Sequence, residues 1–353
     1  MHLVGPCISA QDQQALTQLS LSTPLDSSAS SANTNARSAY TKDQLLSQED
    51  LEWFNQGHTD DNIIINNNNN NNNNGDNSAT NNDDDAVVFI SMGTLARLNF
   101  NQTRSILIGA LASGMDLSTT QAASKKQHKK SKGLRLLWKA DKQQQETITS
   151  ILSNPDTYTE ALTLIKSRSN NSNNNVADIE AQFRGLSARA GDLTSFPGGL
   201  TSRALRAVPW VSSQLGVLSH RNTHIFISHC GINSASETAL AAGGRVQLLC
   251  IPMFGDQLDM AQRVRDAGLG LYLHKHTAVA PHYAAAFSAL VAAAQDPVTR
   301  ARGAAVQRAM QLAGGTPRAV DLVQFAAYSH LDARYDSCHH KTTQKRQFEM
   351  IDC

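Results

Sequence analysis

The fold of this chain is decided by a stretch that reads Ile225-Phe-Ile-Ser-His-Cys-Gly-Ile-Asn-Ser-Ala-Ser-Glu237. It begins with a short apolar run, passes through a tight polar turn and continues into the start of a helix. In α/β proteins this order of strand, turn and helix points the amides of a helix N-terminus at a phosphate. The stretch therefore predicts an α/β fold with an anion site at the helix start.

The same alternation extends on both sides of this stretch. The predicted strands are Val87–Ser91, Leu134–Trp138, Leu205–Trp210, Ile225–Ser228, Leu248–Ile251 and Leu269–Leu273. The predicted helices are Leu45–Phe54, Gln102–Ala112, Lys142–Leu152, Gln214–Leu218, Ser234–Ala242, Leu258–Ala267, Tyr283–Gln295, Thr299–Leu312 and Arg318–Ala327. Strands that alternate with helices indicate a parallel sheet covered on both faces, in one Rossmann-like domain.

Polar low-complexity tracts divide the chain around this domain. Residues 1–85 are interpreted as a linker-like, largely disordered region, which includes nine consecutive asparagines at Asn66–Asn74. The domain is predicted over residues 86–330, with inserts near 115–132 and 167–190, and residues 331–353 form a polar tail. The lysine-rich cluster Lys125–Lys132 is interpreted as a solvated loop rather than as a nucleic-acid tag.

The overall composition excludes several classes of protein. The net charge of +1 gives no reason to expect nucleic acid or an acidic membrane as a partner. The five cysteines are widely spaced and lack a C-x-x-C pair, so we expect no disulfide framework and a reducing compartment. No secretory leader or membrane span is visible. The expected location is cytoplasmic if the chain is complete, whereas a longer form is compatible with membrane association.

A set of polar residues and glycines in and around the central stretch resembles the donor-binding signature of UDP-glycosyltransferases, glycosyltransferase family 1. The residues that carry this resemblance by order and spacing are Gln214, His220, His229, Gly231, Asn233, Ser234, Glu237, Asp256 and Gln257. The resemblance implies the C-terminal half of a GT-B fold. It extends from about Val4 to Ala327, and Leu51–Phe54 looks like the segment that joins the two halves in this family.

The resemblance also implies roles for individual residues. His229, Asn233 and Ser234 would hold the UDP diphosphate, and Glu237 would bind the ribose hydroxyls. Asp256 and Gln257 would bind the hydroxyls of the sugar. Trp210 and Gln214 would hold the nucleoside, with the indole stacked on uracil. The turn at Gly93 and Thr94 would face the donor phosphate.

Each of these assignments has a structural alternative. Ser234-x-x-Glu237 is also a capping box, a common helix start that needs no ligand. Asp256 could cap a helix that begins at Leu258, and Trp210 could pack in the core. A zinc site at His220, His224 and His229 is disfavoured because no further Cys or His lies at ligand spacing, and no metal cofactor is expected.

The sequence departs from the family pattern at three places. Trp210 lies four residues before Gln214, where the family has three, and Ser213 replaces the usual proline. Between Glu237 and Pro252 the chain is about three residues longer than the family pattern, with Ala242-Gly-Gly-Arg245 where Gly-x-Pro is expected. This insertion could shift Asp256 and Gln257 relative to the phosphate site.

The leading hypothesis is transfer of a sugar from a UDP-sugar to a hydroxyl acceptor, without a metal. In the family the N-terminal domain binds the acceptor and provides the catalytic base. That half is expected to be missing here, so no catalytic residue is identifiable and an acceptor-domain subunit is a candidate partner. One alternative is a non-catalytic nucleotide-sugar-binding or interaction module, that is, a truncated glycosyltransferase. Another is a Rossmann-like scaffold without a ligand.

Overall fold

The computed structural model describes residues 46–55, 85–115, 133–168, 194–196, 199–202 and 204–328. The inserts, most of the linker-like region and the polar tail lie outside these residues. The eight strands of the described chain are β1 Ala86–Ser91, β2 Leu134–Lys139, β3 Thr194–Phe196, β4 Gly199–Thr201, β5 Leu205–Val208, β6 Thr223–Ser228, β7 Gln247–Cys250 and β8 Gly270–Tyr272.

These strands form a single sheet in the order β3-β4-β5-β2-β1-β6-β7-β8. Six neighbouring strands of the sheet, β5, β2, β1, β6, β7 and β8, are parallel, as the alternation predicts. Strands β3 and β4 add an antiparallel edge next to β5. If the six parallel strands are numbered 1 to 6 along the chain, they lie side by side in the sheet in the order 3-2-1-4-5-6, which is the Rossmann arrangement. The order reverses between β1 and β6. At such a switch point a crevice opens at the carboxyl edge of the sheet.

Helices cover both faces of this sheet. They are α1 Gln48–Asn55, α2 Phe100–Leu111, α3 Lys142–Leu152, α4 Pro155–Arg168, α5 Gln214–Ser219, α6 Ile232–Ala242, α7 Gln257–Asp266, α8 Ala280–Gln295, α9 Pro297–Leu312 and α10 over residues 315–328. Every predicted strand and helix is confirmed to within a few residues. Helix α4 and the two antiparallel strands were not predicted.

Alternate residues of the central strand feed two separate cores. Val88 and Ile90 of β1 face the core under α2, α3 and α8, where Phe287 is fully buried. Val87 and Phe89 face the opposite core, under α1, α5, α6 and α7. A strand buried on both faces is a continuous apolar run, which is why Val87–Ile90 shows no polar alternation.

Helix α1 is held to the second core by two arginines of the sheet. The guanidinium of Arg135 donates hydrogen bonds to the carbonyl oxygens of Trp53 and Phe54 and lies 4.0 Å from the centroid of the Trp53 ring. Arg206 forms ion pairs with Glu49 at 3.2 Å and Asp50 at 3.3 Å. The bonds from Arg135 satisfy carbonyls that a helix C-terminus leaves without partners.

The additional residues between Glu237 and Pro252 form the turn between α6 and β7. This turn joins the end of a helix to the amino end of a strand, so it lies at the sheet edge opposite the crevice. There a Cβ atom on Gly303 of α9 would lie 2.1 Å from the Cα of Gly244, so the two backbones are in contact. The extra length is accommodated at this edge and need not displace Asp256.

Arg245 ties this turn to α5. The residue is partly exposed, but its guanidinium is buried and donates to the carbonyls of Leu218, His220 and Thr223 at 2.9, 2.5 and 2.9 Å. Burial, together with a smaller effect of the positive charge on Arg300, lowers the pKa of Arg245 to about 10. The side chain therefore stays charged at neutral pH and joins the end of α5, at the carbonyls of Leu218 and His220, to the start of β6 at Thr223.

We expect Arg245→Met to destabilise the fold by about 2–4 kcal/mol, because it leaves three carbonyls without their charged donor. Denaturant unfolding of the two proteins measures this difference. Arg263→Met is the matched control, since Arg263 is exposed and its ion pair is with Asp259 on the same helix. Its effect should stay below about 0.5 kcal/mol. Equal losses in both variants would show that Arg245 has no special role.

Candidate functional site at the switch point

The candidate site lies where β1 and β6 end side by side at the carboxyl edge of the sheet. Register pairs Ser91 with Ser228 at the ends of these two strands. The chain then turns through Gly93 and Thr94 on one side and through His229 on the other. The two predicted turns, which are 136 residues apart from Gly93 to His229, therefore meet at the switch point. This is the place where open α/β sheets bind their ligands.

The imidazole of His229 is held between two glycines. A Cβ atom on Gly93 would lie 2.8 Å from Cε1 of His229, and one on Gly231 would lie 2.6 Å from Nε2. Both distances are shorter than real Cβ contacts, so the ring occupies the space that side chains would fill. Gly93 also has φ of 79°, which only glycine adopts without strain. Gly231 has φ of −62°, so its role is to make room for the ring.

The environment of His229 favours its neutral form. Burial lowers the pKa of this imidazole, and the carboxylate of Asp256 opposes that shift to a smaller degree. On the inner side, Nδ1 lies 3.4 Å from the hydroxyl of Ser228, which also accepts a hydrogen bond from the amide of Cys230. A neutral imidazole carries one N–H donor. His229 can therefore donate one hydrogen bond to an anion.

Helix α6 begins directly beside this ring. Gly231 is its N-cap residue and, having no side chain, provides no side-chain cap for the helix. Ile232, Asn233 and Ser234 form its first turn, whose N–H groups have no partner within the helix. These amides and the positive end of the helix dipole provide an anion site next to His229.

The alternative of a capping box at Ser234 and Glu237 is wrong. The helix starts two residues earlier than predicted, so Ser234 is its third residue and lies buried within the first turn. Glu237 lies deeper in the helix, and its Oε2 accepts a 2.5 Å hydrogen bond from Nε2 of Gln214, the first residue of α5. The structure thus brings together two predicted ligand residues across neighbouring helices.

Asp256 and Gln257 follow β7 at the same edge of the sheet. Asp256 is exposed at the N-cap position of α7, but its side chain makes no capping bond, so the capping alternative is only partly right. Gln257 is buried, and its Oε1 accepts hydrogen bonds from the amides of Met253 and Phe254 at 2.9 and 3.2 Å. The carboxamide oxygen of Gln257, a residue predicted to bind the sugar, therefore holds the loop at Met253 and Phe254 in place.

Trp210 is not a core residue, and the alternative of core packing is wrong. Its side chain is 69% exposed, whereas the next residue, Val211, is buried in the second core. The indole borders a cleft of about 270 Å³ that Gly93 and Thr94 also line. Lys139 of β2 lies in the same cleft, with Nζ 4.2 Å from the centroid of the indole. Lys139 was not predicted as a site residue, because it belongs to no motif of the sequence.

His220 and His224 lie just before and at the start of β6, at the edge of the sheet opposite His229, so the structure does not bring the three histidines together. His220 stacks on Phe54 with ring centroids 4.0 Å apart. Nδ1 of His224 lies 2.7 Å from the carbonyl oxygen of Asn222. Within the described part of the chain, no group of three or more His, Cys, Asp or Glu side chains is arranged to hold a metal ion.

Two cysteines lie beneath the site, contrary to the expectation from their spacing. Cys230 and Cys250 form a disulfide with Cα atoms 5.2 Å apart, and both residues are fully buried. Their proximity follows from the register of β6 and β7, which pairs Ser228 with Cys250. The pairing ties the turn that carries His229 to the neighbouring strand.

Among the described residues, no helix is long and apolar enough to cross a membrane.

The family model for UDP-glucoronosyl and UDP-glucosyl transferase matches residues 189–297, which include β5 to α8 and the site residues from Trp210 to Gln257. Over these residues the chain is similar to UDP-glycosyltransferases, which agrees with the resemblance inferred from the motif. Gly93 and Thr94 lie outside the matched range, and the fold brings them to the same crevice.

Similar proteins include UDP-glycosyltransferase CGT from Oryza sativa subsp. indica, which is 41% identical over 70 residues, 20% of this chain and 14% of the rice protein. A UDP-glycosyltransferase from Talaromyces amestolkiae is 30% identical over 99 residues, 28% of this chain and 18% of the fungal protein. Each alignment spans less than a fifth of the relative. The solved structure of Os79 from O. sativa in complex with UDP has a TM-score of 0.42 and 17% identity, covering 69% of this chain and 40% of that chain.

The glycine pair gives a direct test of the role of His229. We expect Gly231→Ala to weaken UDP binding about tenfold or more, because the new Cβ displaces the imidazole while the backbone conformation suits any residue. Isothermal titration of UDP measures the change. In a His229→Ala background, Gly231→Ala should have no further effect. An additional loss in that background would mean that Gly231 acts independently of the ring.

The lowered pKa of His229 predicts a pH effect on stability. Because the folded-state pKa lies below the unfolded value, the unfolded chain takes up the proton first as the pH falls through the ordinary histidine range. Stability is therefore lost on acidification. Between about pH 7.5 and pH 5.5, the melting temperature of the wild type should fall further than that of His229→Gln. Parallel curves for the two proteins would contradict this prediction.

Proposed function

We propose that this domain binds a UDP-sugar and forms the donor half of an enzyme that transfers the sugar to a hydroxyl acceptor. The observation that supports this most directly is the position of His229. The ring is held between two glycines at the switch point and lies beside a helix start that no side chain caps. A neutral N–H donor next to free helix amides suits the diphosphate of a nucleotide sugar.

In this proposal the diphosphate lies across the first turn of α6. His229, Asn233 and Ser234 contact it, and Gly93 and Thr94 close the site from the side of β1. As the bond between sugar and diphosphate breaks, negative charge grows on the leaving diphosphate. Donors already fixed in place stabilise that charge more in the transition state than in the ground state. The chemistry needs no metal ion, because the helix and the imidazole supply the positive potential.

The remaining parts of the donor fall on residues of the same edge. Glu237, oriented by its hydrogen bond with Gln214, is placed to accept hydrogen bonds from the ribose hydroxyls. The exposed carboxylate of Asp256 is close enough to His229 to influence its pKa, so it is a suitable partner for sugar hydroxyls near the diphosphate. Trp210 offers an exposed aromatic face for uracil.

A second protein body is part of the proposal, because the crevice has an apolar rim. Several large apolar side chains that follow the carboxyl ends of the strands are more than half exposed, namely Leu95, Trp210, Ile232, Phe254 and Leu258. Exposed apolar side chains around a polar site are typical of a surface that another domain or a ligand covers. We propose that an acceptor domain covers this rim and supplies the catalytic base.

The alternative function is nucleotide-sugar binding without catalysis. It is favoured by Gln257, whose Oε1 is engaged with the backbone amides of Met253 and Phe254. A site that holds UDP firmly and the sugar weakly would suit a binding or interaction module. UDP would then bind nearly as well as any UDP-sugar. A transferase should bind its own UDP-sugar more tightly than UDP, because Asp256 adds contacts to the sugar hydroxyls.

Titration of UDP against three variants tests the site. We expect His229→Ala and Glu237→Ala to weaken binding about ten- to a hundredfold, the value of a hydrogen bond that involves a charged group. Glu237→Gln keeps an oxygen for Gln214, so it should preserve the melting temperature better than Glu237→Ala while still weakening UDP binding.

The control is His276→Ala, which removes an exposed histidine from the loop after β8. UDP affinity should be unchanged in this variant. If wild-type protein fails to bind UDP at millimolar concentration, or if all three site variants bind it equally well, the donor assignment is wrong. Melting temperature with and without UDP provides the same answer independently, since a ligand of the folded state must stabilise it.

A further inference from the structure

The cleft beside Trp210 contains a cation that the donor signature does not include. Lys139 is the last residue of β2, and its Nζ lies 4.2 Å from the centroid of the indole, within the range of a cation–π contact. Burial lowers the pKa of this lysine. The contact covers part of the indole, and Trp210 as a whole residue remains 69% exposed.

The other charges of the cleft are already paired. Arg97 forms an ion pair with Asp141 at 3.1 Å, and Asp141 also caps α3 by accepting a hydrogen bond from the amide of Gln144. Within the described residues, the ammonium of Lys139 therefore contacts an aromatic face rather than a carboxylate. This arrangement leaves the ammonium to act on the indole.

We propose that Lys139 is a positioning residue that holds the indole of Trp210 as a platform for the uracil ring. The inference rests on the proposed function and extends it to a residue outside the motif. An exposed tryptophan can rotate about two side-chain bonds, and fixing it only when the base arrives costs affinity. A cation on one side fixes the ring in advance and leaves its other side for stacking.

The position of Trp210 explains why such support is needed. It lies one residue earlier than the aromatic residue of the family pattern, and the next residue, Val211, is buried in the core. Successive residues of an extended segment point in opposite directions, so a shift of one residue turns the indole toward β2. There it meets Lys139 and Thr94 in one cleft.

The test compares Lys139→Met, which keeps the length of the side chain without its charge, with Lys139→Arg, which keeps the charge. We expect Lys139→Met to weaken UDP binding about two- to fivefold, the value of one exposed cation–π contact, and Lys139→Arg to stay within about twofold of wild type. Inorganic pyrophosphate, which lacks the base, should bind all three proteins equally. In a Trp210→Ala background, Lys139→Met should have no effect.

Fluorescence adds a readout that a purely structural role would not change. Trp53 and Trp138 are buried, so quenching by the neutral quencher acrylamide reports mainly on the exposed Trp210. The indole should become more accessible to acrylamide in Lys139→Met, and saturating UDP should protect it. Lys139→Gln replaces Lys139→Met if the melting temperature shows that the methionine variant is misfolded.

The outcomes separate this inference from the proposed function. If wild type binds no UDP, both are wrong. If UDP binds and His229→Ala weakens it while Lys139→Met binds UDP equally or more tightly, only the role of Lys139 is wrong. If Lys139→Met loses UDP and pyrophosphate affinity to the same extent, the lysine acts on the diphosphate through its charge, and the platform is overturned.

Discussion

The imidazole of His229 lies in a space that exists only because the two residues on either side of it have no side chain. One of these glycines comes from the turn after β1 and the other from the start of α6. The turn after β1 and the turn after β6 are therefore closer together than any pair of ordinary residues would permit. The crevice of the Rossmann-like sheet becomes narrow at this point, and the imidazole of His229, a hydrogen-bond donor, is fixed at its base.

Electrostatics and packing support the same arrangement. The helix beside the ring begins without a side-chain cap, so its first amides keep their capacity for an anion. The hydrogen bond between Gln214 and Glu237 braces this helix against α5, and Arg245 joins the far end of α5 to the start of β6. Rigid support of this kind is what a site needs if its donors are to be in place before charge develops.

Most of the fold could be predicted from the sequence, because apolar runs and helical periods repeat with little interruption from Leu205 onward. Helix α4 and the antiparallel edge strands were missed because they are polar or very short. The residues of the site could be named from the motif, but their contacts could not. The capping-box alternative failed because the helix begins at Ile232, a difference of two residues that no local pattern reveals.

Contacts that join distant segments left no trace in the sequence. Lys139 meets Trp210, and Cys230 meets Cys250, because of strand order and register rather than spacing. The fit of Gly93 against His229 belongs to the same class, since the two residues come from strands separated by a long stretch of chain. Such pairs become visible only when the topology of the sheet is known.

The two edges of this sheet differ in how much change they can tolerate. The chain leaves the described domain at Met115 and returns at Gly133 on the amino edge, where the amide of Ala86 bonds the carbonyl of Gly133. The lengthened turn before β7 lies on the same edge, while His229 and Trp210 lie on the other. Both features therefore lie on the side of the sheet that is remote from the crevice. An affinity tag, fluorophore or fused domain inserted at the amino edge should leave the crevice open, which makes this edge the natural point of attachment for immobilising the protein.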